Sequence, residues 1–191
     1  MAVRSPANRL TARVRGFNII KDKSFRRGKF ILASGRESDF YLDLKPTMFD
    51  PEGANVVAEL VLERLKDVKV DYVGGMEVGA IPIVTAVSVL SVNAARPIPG
   101  FFVRKKSKDH GTRKLVDGVS DLSGKDVVII DDVTTTGASA MDAVAAAREA
   151  GANVVLILSI VDRGEGAEEF YKAEGLVFDW LFHIREFLAA E

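Results

Sequence analysis

Asp131-Asp132-Val133-Thr134-Thr135-Thr136-Gly137-Ala138-Ser139 is the stretch richest in chemistry: two carboxylates, four hydroxyls and a glycine in succession. Before it, Val127 to Ile130 is apolar without a break, which predicts a buried strand of a parallel sheet that stops at the acids. After it, Met141 to Ala150 reads as an alanine-rich helix ending at Gly151, a residue suited to a helix C-terminus. Strand, tight loop and helix in that order aim several backbone N–H groups of Thr134 to Ser139 at one point, where the helix dipole also favours negative charge. That point suits a phosphate. Gly137 lets the backbone approach the anion, and the hydroxyls of Thr135, Thr136 and Ser139 can donate to its oxygens. The two acids make little sense for the phosphate itself, but carboxylates accept hydrogen bonds from sugar hydroxyls and help to place Mg2+. Any one of these residues alone is an ordinary turn or capping residue. The whole string points to a phosphorylated sugar.

Three other groups stand out. The run Arg104-Lys105-Lys106-Ser107-Lys108-Asp109-His110-Gly111-Thr112-Arg113-Lys114 carries six cations and no apolar side chain, so it cannot be core. A solvated linker is the usual fate of such a run, and a nucleic-acid patch is the second reading. Its place between two predicted strands of a charge-balanced chain also suits a basic loop that meets an anion. Asn153 to Val161 reads as a strand ending at Asp162-Arg163-Gly164-Glu165-Gly166. In a parallel sheet Arg163 then shares a rim with Asp131 and Asp132, and ligands bind on that rim. Lastly, Gly74-Gly75-Met76-Glu77-Val78-Gly79-Ala80-Ile81 follows a short strand and precedes a helix opening at Pro82. It repeats the plan of strand, glycine loop and helix, although packing alone could account for it.

The elements that must hold these groups follow from pattern. A chain of 191 residues, 48% hydrophobic, can bury a sizeable core within one domain. Lys+Arg 26 against Asp+Glu 27 leaves no overall field for nucleic acid or a membrane surface, so an anion site must be a local cluster. With no cysteine there is no disulfide, thiol nucleophile or cysteine metal site. The first residues lack an apolar targeting core and no stretch is long enough to span a bilayer, so the expected compartment is cytoplasmic. Leu10, Val14, Phe17 and Ile20 predict an amphipathic helix over 8–20. Phe30 to Leu32 and Phe40 to Lys45, around a polar turn, predict a hairpin. Asp50-Pro51-Glu52 starts a helix that buries Val57, Leu60, Val61 and Leu65 and runs to about Lys66. Strands near 70–75, 97–103, 126–131, 153–161 and 176–184 then give an α/β fold. It is a doubly wound, mainly parallel five-stranded sheet with the hairpin as an N-terminal hood over its C-terminal rim. His183, on the last strand, reads as a packed structural residue.

The string from Asp131 to Ser139, behind its apolar strand, is similar to the phosphoribosyl-pyrophosphate (PRPP) signature of the type I phosphoribosyltransferases. Two further stretches narrow the resemblance: the hood segment Ser34-Gly35-Arg36-Glu37-Ser38-Asp39-Phe40-Tyr41, and the flap Arg104-Lys105-Lys106-Ser107-Lys108-Asp109-His110-Gly111. With Asp162-Arg163, they make the chain resemble an orotate phosphoribosyltransferase over essentially its whole length. The resemblance implies one phosphoribosyltransferase domain over 1–191, with helix and hood hairpin in 1–50 and the α/β core, including a flap at 104–118, in 51–191.

What the resemblance further implies is transfer of phosphoribose from PRPP to orotate, giving orotidine 5'-phosphate and pyrophosphate on the way to UMP. Mg2+ would be bound mainly through PRPP, with Asp131 and Asp132 the candidate protein ligands. By position, Asp131 and Asp132 would hold the ribose hydroxyls, and Val133, Thr134, Thr135, Thr136, Gly137, Ala138 and Ser139 the 5-phosphate. Thr135 and Arg163 would meet orotate, with Phe40 and Tyr41 lining the hood above its ring. Arg104, Lys105, Lys108 and His110 would close over the pyrophosphate, and Lys108, His110 and Asp132 are the catalytic candidates. A homodimer, with the flap shared across subunits, is implied as well. Many relatives carry lysines where this chain has Ala33 and, in the glycine loop, Glu77 to Ala80, which leaves more of the pyrophosphate to the flap. A purine phosphoribosyltransferase would share the phosphate loop and differ in the base pocket. A PRPP-sensing regulator would reuse the fold, but with a DNA-binding domain and a degraded flap.

Overall fold

The computed structural model describes residues 6–31, 35, 37–94, 96–106 and 115–190. In chain order it forms α1 (Pro6–Ser24), the strands β1 (Phe25–Ile31) and β2 (Glu37–Leu42), α2 (Lys45–Met48), α3 (Pro51–Leu65), β3 (Tyr72–Gly74) and α4 (Ala80–Ser91). There follow β4 (Phe102–Val103), β5 (Val116–Asp117), β6 (Asp126–Thr134), α5 (Ala138–Glu149), β7 (Asn153–Asp162), α6 (Ala167–Ala173), β8 (Phe178–His183) and α7 (Ile184–Ala189).

The centre is a parallel sheet in the order β3-β6-β7-β8. Alternation along β6 divides the core between its two faces. Val128 and Ile130 pack with Ile20, Val57, Val61, Ile83 and Phe182 on one side. Val127 and Ile129 pack with Ala143, Ala147, Ile157 and Tyr171 on the other. Helices therefore cover both faces, which is the doubly wound arrangement read from the sequence.

The strand count needs correction, because the sheet has four strands rather than five. The segment from Pro97 to Val103 does run beside β3, through Val73 N–H to Pro99 O (3.1 Å), Phe101 N–H to Val73 O (3.0 Å) and Val103 N–H to Gly75 O (2.8 Å). It meets the edge only in isolated bridges at Gly100 and Val103. Pro99 has no N–H to donate, so the pairing cannot extend back before Gly100. Its last two residues instead pair antiparallel with β5, closing the stem of the basic flap.

Local chemistry sets the remaining boundaries. Asp50 Oδ1 accepts from the N–H groups of Glu52 (3.1 Å) and Gly53 (2.9 Å) and so fixes the start of α3. α4 begins at Ala80, before Pro82, since proline is tolerated in a first helical turn. β1 and β2 form the expected antiparallel hairpin. Helix α1 packs on α3, and the rings of Phe17 and Phe187 stack at 4.7 Å, tying α1 to α7.

Candidate active site

Parallel register brings the C-terminal ends of three strands level: Thr134 of β6 lies beside Asp162 of β7, which lies beside His183 of β8. At this rim Gly137, at φ +93°, turns the chain sharply and α5 starts at Ala138, three residues before the sequence pattern suggested. The helix has no side-chain cap and no acid in its first turn, so its leading N–H groups keep their positive field unopposed. Thr135, Thr136, Ala138 and Ser139 are exposed around it.

The acids sit immediately behind this loop. Asp131 is 9% exposed and its Oδ2 accepts from Thr134 Oγ1 at 2.8 Å. Burial, and then the neighbouring Asp132 charge, push the Asp131 carboxyl up to about 7. Asp132 is raised as well, again mainly by burial, against the pull of the Val133 N–H and of Lys45. Its carboxylate fills the space above Gly79, where a Cβ would stand 2.5 Å from its Cγ. Gly75 is equally constrained, because a Cβ there would lie 2.1 Å from Ile130 O. The glycine loop thus lies directly on the strand that carries the acids, which is a packing reason for its glycines.

Arg163 arrives from the end of β7, its N–H donating to Thr134 O at 3.0 Å. Its side chain is only 8% exposed, with Nε 2.8 Å from Glu165 Oε1 in an ion pair. The pair is electrostatic in character, since buried Nε makes no hydrogen bond of good geometry. The guanidinium lies over the Phe40 ring at 4.6 Å, which joins the hood to the sheet rim. Tyr41 points to the other face of β2, where it meets Phe30 at 5.6 Å and is 44% exposed. The structure therefore brings Phe40, and not Tyr41, to Arg163.

Of the basic flap, Arg104 and Lys105 are described, while Lys108 and His110 lie outside the described residues, as do Ser34 and Arg36 of the hood turn. Arg104 is held in the flap stem: its N–H donates to Leu115 O (2.9 Å) and its Nη1 lies 3.4 Å from Asp117 Oδ2. His183 is structural as expected. Its Nδ1 accepts from Arg185 N–H at 3.1 Å, and Glu186 Oε1 accepts from the His183 N–H at 2.8 Å, so together they cap α7.

Several site residues carry no local sequence signal. Lys45, at the end of the hood, is ion-paired to Asp43 at 2.8 Å and places a positive charge near Asp132. Glu77 Oε1 accepts from Lys105 N–H at 2.9 Å, fastening the start of the basic run to the glycine loop. Among the described residues no cluster of three or more His, Cys, Asp or Glu could hold a metal ion. The adjacent pair Asp131 and Asp132 offers hard oxygen donors, the kind that Mg2+ takes when substrate oxygens supply most of its shell.

The geometry has close counterparts. The Phosphoribosyl transferase domain family matches residues 49–185. The orotate phosphoribosyltransferase of Rhodopseudomonas palustris (strain TIE-1) is 54% identical over 180 residues, covering 93% of this chain and 96% of that protein. Among solved structures, the Mycobacterium tuberculosis H37Rv orotate phosphoribosyltransferase in complex with Fe(III) dicitrate matches with a TM-score of 0.81 and 34% identity, over 92% of this chain and 98% of that one. The same enzyme in complex with 5-phospho-alpha-D-ribosyl 1-diphosphate (PRPP) matches at 0.77 and 32% identity, again over 92% and 98%.

Proposed function

Because this chain belongs to the orotate phosphoribosyltransferases, within the phosphoribosyl transferase domain family, we infer that it transfers phosphoribose from PRPP to N1 of orotate. The products are orotidine 5'-phosphate and pyrophosphate, on the route to UMP. One observation carries the reading: an uncapped helix start, the adjacent carboxylates of buried Asp131 and half-buried Asp132, and an arginine whose side chain is buried share one rim.

Each group fits a part of the reaction. The N–H groups that follow Thr134, through Ser139, and the exposed hydroxyls of Thr135, Thr136 and Ser139 take the 5-phosphate, while Thr134 is buried beneath them with its hydroxyl on Asp131. Asp131 and Asp132 accept from the ribose hydroxyls, which lowers their raised pKa values and holds the ring in place. Arg163, braced on Phe40, offers its guanidinium to the carboxylate of the base, while Thr135 contacts its edge. Breaking the C1–O bond builds positive charge on the ribose and negative charge on the leaving pyrophosphate. The half-buried Asp132 carboxylate opposes the first, and Arg104, Lys105, Lys108 and His110 oppose the second. Asp131 and Asp132 would help to hold Mg2+ carried in with PRPP, which would supply positive charge to the pyrophosphate.

The chain is read as one phosphoribosyltransferase domain acting in the cytoplasm on soluble anions. No helix among the described residues is long and apolar enough to cross a membrane. A homodimer sharing the flap fits α4, which carries no charged residue and exposes Val89, with Val92 exposed just past its C-terminal end.

The test is loss of orotate absorbance on adding PRPP and Mg2+, with adenine, guanine, hypoxanthine and uracil in parallel. Turnover of orotate alone, abolished by chelation, is expected. Turnover of a purine would discard the base pocket and keep the phosphate loop. PRPP binding without turnover of any base would support a regulator instead.

A further inference from the structure

Tyr171, on α6, is fully buried, and its hydroxyl donates to Gly137 O at 3.0 Å. Ring and loop are in direct contact, since a Cβ at Gly137 would stand 2.8 Å from the Tyr171 ring. The same carbonyl accepts the helical bond from Met141 N–H at 3.2 Å. Both of its lone pairs are therefore used, and the peptide joining Gly137 to Ala138 is held in one plane. The N–H of that peptide belongs to Ala138, the first residue of an uncapped helix, at the point where the phosphate is read to bind. Hydrogen bonds to a carbonyl polarise its peptide and strengthen the N–H as a donor. Burial, reinforced by Asp131 and Asp162, raises the Tyr171 hydroxyl well above its ordinary value, so it stays a donor at every working pH.

We propose that Tyr171 is a positioning residue for the 5-phosphate of PRPP, acting through the Gly137 carbonyl on the Ala138 N–H. The inference rests on reading Thr134 to Ser139 as the phosphate loop. Tyr171 is covered by the loop and acts only through it. The contact to the 5-phosphate is read as equally strong in the ground and transition states, so its loss is expressed as affinity rather than as turnover.

The experiment compares the full-length wild type with Tyr171→Phe, which keeps the ring and removes the hydroxyl. Calorimetry measures binding of PRPP, ribose 5-phosphate and pyrophosphate, and steady-state assays give kcat and the KM for orotate. The expected result is affinity about fivefold weaker for PRPP and ribose 5-phosphate, in line with loss of one hydrogen bond. Pyrophosphate affinity, kcat and the KM for orotate stay within about twofold. Unchanged ribose 5-phosphate affinity would overturn the proposal. So would a parallel loss for pyrophosphate and orotate, which marks general loosening of the fold. A wild type that binds neither PRPP nor ribose 5-phosphate would instead overturn the reading of the loop, before any variant is compared.

Discussion

Replacing Asp131 with asparagine is expected to stabilise the fold at pH 8 and to change it little at pH 4. The carboxyl is raised from 3.8 to about 7, first by burial and then by Asp132. A folded value above the unfolded one means that the native state holds its proton more tightly. Below about pH 4 both states are protonated and nothing is lost. Between pH 4 and 7 the unfolded chain ionises while the native site resists, so stability falls, and above pH 7 the full penalty remains. About three units at ~1.4 kcal/mol each set a ceiling of ~4 kcal/mol on that penalty. Asparagine keeps an oxygen for the Thr134 hydroxyl but adds an NH2 that needs a partner, so recovery of about half, ~2 kcal/mol, is expected. For a domain of this size that raises Tm by about 4–8 °C at pH 8. Urea titrations of both proteins at pH 4 and pH 8 measure it, and PRPP affinity should fall in the same variant. An equal stability difference at the two pH values, or a loss at pH 8, would refute the claim that Asp131 is a strained ionised group.

Two more substitutions probe the glycine loop. Gly79→Ala places a Cβ 2.5 Å from the Asp132 carboxylate, which must move. kcat/KM should fall about tenfold or more, ~1.4 kcal/mol in the transition state, while Tm shifts by only a few degrees; near-wild-type turnover would mean that Asp132 has freedom to move. Glu77→Ala removes the acceptor for Lys105 N–H, and kcat/KM for PRPP should fall about tenfold, whereas Glu77→Gln, which keeps a carbonyl oxygen there, should retain most activity. Equal losses in the two variants would point to the charge of Glu77 rather than its hold on the flap.

Much of the site was legible because its signals are local. An apolar run that stops at two acids, followed by hydroxyls and a glycine, constrains strand, loop and helix together, and each follows from its neighbours. The hairpin and the Asp50 cap were readable for the same reason. The failures are those where a distant partner decides. Pro99 stops the pairing from extending back along β3, which hydropathy does not register, and the apolar run predicts a fifth strand where the chain makes only isolated bridges. Alternation along β2 sends Phe40 and Tyr41 to opposite faces, and Phe40 is the one that meets Arg163. Glu77, Lys45 and Tyr171 reach the site through contacts to residues remote in sequence, and their types alone announce nothing.

The site's electrostatics argue for the class of ligand independently of any relative. Within one short stretch the chain sets a buried and a half-buried carboxylate, both driven towards their neutral forms, beside a helix start that lacks either a side-chain cap or an acidic residue. Asp131 and Asp132 could have supplied the missing negative charge, but they lie on β6, before the turn, and Gly137 carries the chain away from them. A plain anion satisfies the helix and aggravates the acids; a plain cation does the reverse. A molecule that carries phosphate at one end, and hydroxyl donors with a bound divalent cation a sugar's length away, relieves both at once. The glycines at 75, 79 and 137 let these loops pack closely behind the rim, since a Cβ at any of them would collide with strand β6, Asp132 or Tyr171. A phosphorylated ribose with a metal-bound pyrophosphate meets every one of these demands, which is why the rim is read as a PRPP site rather than a general anion patch.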